Sequence, residues 1–378
     1  MTPFQQQRLS LSFSGLLLAF CLVHPSLADN TATSSATATT SLAETLSSAK
    51  DEVFIQQLIT TGIRPLYRDL EQASQQLTQA STDFCQNSSL EQFQKLRDAW
   101  GTSMLAWQRT DSLLFGPATA EQMDFQINFA PPKKQIIKGL LASDKPISTE
   151  VVAAAGVGAQ GLSSLEYVLF DREQTTEQLL TSFKDASGQT RCSYIQAVSS
   201  LLEQNIKKLN AAWLSPDADQ QFTNNQEVID LLIGKAYQSL ERINLKKLTQ
   251  PLGNLDEKKA SYPYDLEAWR SGYSFKIIKA NIEGLQQVFV KGGFLAWIDK
   301  NFPSEATKTA VVSFEKQVQD LVQMKLPEVD PFTLVAQKQV SAELNELVQR
   351  TRGLEMGLKR QLAVLAKAQL GFNDNDGD

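Results

Sequence analysis

Apolar residues recur along this chain at steps of three and four, and the runs they form predict helices from residue 51 onward. Leu66, Leu70, Ala73, Leu77, Ala80 and Phe84 make one stripe over about five turns. Pro65 stands where it would start or kink that helix. Residues 90–114 predict a second helix, with Phe93, Leu96, Trp100, Met104 and Trp107 along one side. The run Phe115-Gly116-Pro117-Ala118 stops it. Pro131-Pro132 suits the start of a helix through residue 143. Residues 147–170 carry Gly156, Gly158 and Gly161 and close on GLSSLEYVLF. Ile195, Val198, Leu202, Ile206 and Leu209 then form another stripe within 191–213.

The polar, turn-rich segment 215–226 reads as a joint. Beyond it the helical pattern restarts over 227–248, and 251–265 reads as a long loop. Helices follow over 266–289 and 304–323. The last is marked by Val340, Leu344, Leu347, Leu354, Leu358 and Leu365 at heptad-like spacing. No segment alternates with period two between turn signals. The fold class is therefore all-α, with two four-helix-bundle-like domains over 51–214 and 227–372 and a linker at 215–226. Both halves share one rhythm of long and shorter helices, which points to a distant duplication. The acidic end, residues 373–378, is expected to fray.

The N-terminus breaks the helical pattern. Arg8 is the one charge before Asp29, and residues 9–23 are mostly apolar. Ser26-Leu27-Ala28 fits the small–x–small pattern of a cleavage site. Residues 1–28 are read as a signal peptide, and the Ser/Thr/Ala-rich stretch 29–50 as a flexible tether. Cys21 follows Phe20, where a lipidated cysteine would have a small residue before it. No later stretch is apolar for long enough to span a membrane, so the mature chain is expected to carry no transmembrane span.

Cleavage changes the chemistry available. The single histidine, His24, leaves with the signal peptide. A mature chain without histidine cannot build Ser-His-Asp or Cys-His catalysis, nor a histidine-based metal site. The net charge of −6 for the full chain becomes one unit more negative when Arg8 is lost. With no Arg/Lys cluster interleaved with aromatics, nucleic acid is not an expected partner. Cys85 and Cys192 remain, and export to an oxidising compartment favours a disulfide between them over two separate thiols.

In GLSSLEYVLF, Glu166 lies three residues after Ser163, on one helical face. Its neighbours are apolar enough to bury it. A buried carboxylate must find a partner, take up a proton or bind a cation. Gly161 would let another backbone or a ligand come close. Trp100 and Trp107, seven apart, share a face and read as core rather than as a ligand platform.

The stretch 161–170 resembles the Gly-x-His-x-x-Glu signature of the imelysin family, also called peptidase M75-like. AWQRTDSLLFGPA at 106–118 and INFAPPKK at 127–134 are similar to the segments around it. The surroundings of Cys85 and Cys192 resemble a cysteine pair in the family's predicted-lipoprotein branch. KKLTQPLG and WRSGYSFKIIKANIEGLQQVF resemble its second repeat. The likeness extends over residues 51 to about 370. Ser163 stands at the position matching the family's histidine, Pro132 where an aspartate is common, and Ala130 where a tryptophan often stands.

The resemblance implies a periplasmic protein, or one peripherally associated with the outer membrane, linked to iron acquisition. Its fold would be two helical bundles with a cleft between them. A metal ion, a siderophore or an envelope iron-transport protein are the partners it suggests. Of the family's metal site only Glu166 carries over, with Gly161 as the motif glycine. Serine is a poor transition-metal ligand beside imidazole, so peptidase activity is not expected to transfer. Oxygen-only binding of iron(III) or calcium needs no histidine, and Glu166 with Ser163 and Asp111, Asp124 or Asp171 is the candidate set. Arg109 and Arg270 stand near the motifs. Either is placed to clamp a carboxylate ligand or to pair with Glu166, with the ion pair preferred. Two other readings stay open: a helical interaction protein whose cleft takes a peptide, siderophore or envelope partner without metal, and a metal-dependent hydrolase with a carboxylate-only site.

Overall fold

The computed structural model describes residues 50–185, 187–253, 260–339 and 341–370. The expected signal peptide, most of the tether, Val340 and the acidic end lie outside the described residues. The principal helices are α1 (Arg64–Gln86), α2 (Leu90–Gln108), α3 (Gly161–Leu169) and α4 (Gly188–Leu214), then α5 (Asn225–Arg242), α6 (Ser274–Leu285), α7 (Glu305–Gln323) and α8 (Ala342–Gly357). No strand occurs among the described residues; one isolated bridge joins Asn128 to Gly161.

The predicted stripes are the buried faces. Leu66, Leu70, Ala73, Leu77 and Phe84 of α1 are in the core. Each such leucine contributes about 1.5–3 kcal/mol by leaving water, which offsets the cost of ordering the chain. Helix starts are set by short polar side chains. Ser89, Asn224, Ser304 and Ser341 each accept from a backbone N–H in the first turn of α2, α5, α7 and α8. Pro65 falls in the first turn of α1.

Helix α1 packs on α2 and α4, and α3 fits against α2 and α4. In the second half α6 meets α7, α7 meets α8, and α8 meets α5. Helices α2 and α6 also pack on each other, and the described residues form one compact unit. Cys85, at the end of α1, and Cys192, near the start of α4, form a disulfide with Cα atoms 5.6 Å apart. No helix among the described residues is long and apolar enough to cross a membrane.

Two local departures from the sequence expectation matter for the site. The helix predicted over 266–289 begins only at Ser274. Before it, Ala268 and Gly272 have positive φ, 51° and 75°, which a helix cannot absorb. Ser274 Oγ instead donates to the carbonyl of Glu267 at 2.6 Å and fixes the irregular stretch. The second departure is a set of π turns, at Ile243–Thr249 after α5 and Leu358–Leu362 after α8. The latter inserts a residue into the heptad-like pattern. Leu362 and Ala366 are buried, while Leu365 is only partly so.

Candidate functional site

Helix α3 carries the motif and is pinned along its length. The indole N–H of Trp100 donates to the carbonyl of Leu162 at 2.9 Å. Arg97 Nε donates to the last carbonyl, Leu169, at 2.8 Å, a cation at a helix C-terminus. Just before the helix, the Tyr194 hydroxyl holds the carbonyl of Ala159 at 2.7 Å. Gly161 has φ +76°, and a Cβ there would lie 2.3 Å from the carbonyl oxygen of Ile127. Only glycine lets the start of α3 meet the backbone of 127–128 this closely. That contact brings Asn128 to Ser163, whose hydroxyl donates to Asn128 Oδ1 at 2.6 Å.

Ser163 and Glu166 face a cavity of about 520 Å³, a volume suited to a small organic ligand. One wall is the end of α2 with Met104, Trp107 and Gln108, and Asp111 beyond it. A second is the segment from Asp124 to Pro132. The third comes from the other half of the chain: Arg242, Lys246 and Lys247 around the π turn, and residues 264–270. Exposed Phe125 and Tyr264 stand at the rim, each edge-on to another aromatic, Phe129 and Trp269.

Glu166 is buried, with 5 % of its surface exposed. Its Oε1 accepts from both the backbone N–H and the hydroxyl of Ser271, each at 3.0 Å. Its Oε2 has no partner among the described residues. Burial raises the carboxyl above the usual range. The two Ser271 bonds and the nearby Arg270 oppose that rise, and Glu267 adds to it.

Around it lies a paired network. Asp111 meets Arg242 at 3.0 Å and accepts from Ser239 at 2.5 Å. Burial works against its ionisation, but Arg242, Lys247 and Ser239 together hold it below its ordinary value. Lys247 is buried and contacts Glu267 at 3.0 Å, Asn281 at 2.7 Å and Gln108 at 3.0 Å. Gln108 also donates to Glu267 at 2.7 Å. These bonds join α2 to the second half directly beneath the cavity.

The sequence-derived residues therefore divide. Glu166, Ser163, Asp111, Asp124 and Arg270 all line the cavity, and Gly161 shapes it from outside. Arg109 is elsewhere, paired with Glu283 at 2.8 Å. Asp171 is also outside, accepting from the backbone N–H of Glu173 and from Gln174. The preferred ion pair with Glu166 is formed by neither arginine among the described contacts. Arg109 is drawn to a carboxylate 174 positions along the chain. The Arg270 guanidinium carbon sits over Trp269, 4.0 Å from the ring centre, with the Tyr167 ring at 5.2 Å. Trp100 is core, as expected, whereas Trp107 is buried and yet reaches the cavity wall.

Sequence reasoning missed Asn128, Gln108, Lys246, Lys247, Glu267 and Trp269. The one available signal was the Tyr/Pro/Gly-rich run 261–273, which the apolar pattern overrode. Among the described residues, no group of three or more His, Cys, Asp or Glu side chains is placed to hold a metal ion. Glu166 Oε1 is taken up by Ser271, and the Ser163 hydroxyl already donates to the Asn128 amide. This donor set does not fit a bare transition-metal ion.

No curated protein matches the chain. Among solved structures, an imelysin-like protein from Psychrobacter arcticum 273-4 superposes with a TM-score of 0.67 at 22% identity, covering 85% of this chain and 96% of that one. A protein named as an iron-regulated protein A precursor, from Parabacteroides distasonis ATCC 8503, gives 0.65 at 16% identity, covering 83% and 93%. Likeness at these identities is a likeness of fold. The sequence pattern of the imelysin family, peptidase M75, matches residues 63–370. The chain belongs to the imelysin family.

Proposed function

We propose that this protein is an exported, iron-linked binding or accessory protein of the imelysin type, without peptidase activity, whose cleft takes a small organic ligand or chelate. The observation that carries the reading is the cleft itself. It holds a buried carboxylate with one unpartnered oxygen and aromatic rings at its rim, and lacks a clustered metal donor set among the described residues. The iron link is supported by family membership and by the name of the Parabacteroides distasonis neighbour. Export is supported by the N-terminal 28 residues, and the periplasm is the compartment proposed.

A peptidase reading meets a chemical obstacle. Among the described residues the Ser163 hydroxyl bonds no base; it donates to the amide oxygen of Asn128. Residues 29–378 contain no histidine to supply one.

Trp107 and Trp269 line the cleft, so their fluorescence reports occupancy. The test is a fluorescence titration with iron(II), iron(III), zinc and calcium salts and with ferric carboxylate, hydroxamate and catecholate chelates, alongside Trp269→Phe. Saturable quenching by a chelate but not by simple salts is expected. Stoichiometric binding of a bare ion, with every chelate inert, would sink the proposal.

A further inference from the structure

Among the described residues, two cations reach the cleft without a hydrogen-bond or ion-pair partner. Arg242 and Lys247 are neutralised by Asp111 and Glu267. Arg270 and Lys246 have no hydrogen-bond or ion-pair partner among the described residues. Arg270 is not loose, because its guanidinium carbon sits over two rings, 4.0 Å from the centre of Trp269 and 5.2 Å from that of Tyr167. Stacking leaves the edge of a guanidinium, with its N–H groups, free to meet a planar anion. A half-buried guanidinium held this way gives up solvation, and a ligand carboxylate would restore it. Ser271, the next residue, donates twice to Glu166, so the guanidinium and the unpartnered Glu166 oxygen belong to one small region of the wall. Lys246 supplies a second, exposed cation on the π turn across the cavity.

Resting on the reading of this cleft as the ligand site, we propose that it selects an organic polycarboxylate. One carboxylate binds in the plane of Arg270, a second is met by Lys246, and a donor group of the ligand, such as a hydroxyl, meets the free oxygen of Glu166. Arg270 is then the specificity-determining residue and Glu166 the group that sorts among carboxylates. The same carboxylate chemistry is offered by a free hydroxy-polycarboxylate and by its ferric complex.

The test is calorimetry on the full chain with citrate, ferric citrate and the ferric complex of a trihydroxamate. Wild type is compared with Arg270→Gln, Arg270→Lys and Trp269→Phe, each checked for folding by circular dichroism. Saturable binding of citrate or of ferric citrate is expected, and whichever binds identifies the source. Arg270→Gln should weaken it by about tenfold or more, in line with loss of a bidentate charge-assisted contact. Arg270→Lys should recover only part, because an ammonium lacks the planar fork. If the trihydroxamate complex binds instead, is weakened by Trp269→Phe and is indifferent to Arg270→Gln, the carboxylate assignment is overturned while the cleft remains the ligand site. If none of the three binds, both the assignment and the cleft reading fall.

Discussion

Replacing Gly161 by alanine tests the geometry on which the site depends. At φ +76° an alanine sits in the left-handed region, at a cost of about 1–2 kcal/mol. Its Cβ would lie 2.3 Å from the Ile127 carbonyl oxygen, 2.8 Å from the Ile127 carbonyl carbon and 3.0 Å from the Gln126 oxygen. All three are backbone atoms, so no side chain can swing away, and the segment 126–128 must move. Overpacking of this kind adds about 1–3 kcal/mol. The sum predicts a loss of about 2–5 kcal/mol. The same shift would pull Asn128 from Ser163 and open one wall of the cleft. Gly234 is the internal control. It lies inside α5 with nothing within 4 Å of an added Cβ. Gly234→Ala should therefore stabilise by about 0.5–1 kcal/mol through helix propensity alone. Urea unfolding followed by far-UV circular dichroism and tryptophan fluorescence measures both. A Gly161→Ala protein within about 0.5 kcal/mol of wild type would show that the close approach is not rigid and refute the argument. So would a Gly234→Ala protein as damaged as Gly161→Ala.

Glu166→Gln keeps an acceptor for Ser271 and removes the charge that burial penalises. Because the native carboxyl titrates above its unfolded value, the native state holds more protons in that window, and wild-type stability falls as pH rises through it. The glutamine variant should gain on wild type in thermal melts as pH rises above the ordinary carboxyl range, about pH 4, and a pH-independent difference would count against the desolvated carboxyl. Replacing Cys85 and Cys192 together by serine opens a covalent loop spanning 107 positions and should cost up to about 4–5 kcal/mol in urea unfolding. A change below about 1 kcal/mol would mean that the unfolded chain is little constrained by the bridge. Asp111→Ala leaves Arg242 and Ser239 without their shared carboxylate and should cost about 1.5–3 kcal/mol, with Arg242→Ala in the same background adding little. Full additivity of the two losses would show that the pair is not coupled.

The helices were legible because one-sided burial writes itself into spacing: the stripe from Leu66 to Phe84 is the core face of α1. Glu166 stood out because so many apolar neighbours could only bury it, and burial is what the structure gives. Residues 266–273 were misread for the same reason. Leu266 and Ala268 are buried, so the apolar pattern continued while the backbone turned. Gly272 hinted at the break; a positive φ at Ala268 has no signature in sequence. The partners of Arg109 and Lys247 were beyond reach in another way. Glu283 and Gln108 lie 174 and 139 positions from them, and nothing local selects one distant carboxylate or amide over another.

The π turn at Ile243–Thr249 gives the cleft an unusual freedom of inheritance. Such a turn is one residue more than an α-helix needs, so losing that residue would close the helix and leave the fold in place. Only the residues within the turn would be re-aimed, by roughly 100° about the helix axis, while the flanking buried faces keep their places. A single lost codon could thus trade the two lysines on this wall for uncharged neighbours, Leu245 and Leu248 among them, and remove positive charge that a ligand meets. Ligand choice in this architecture is open to length changes of one residue, which leave the buried helical stripes of both halves untouched.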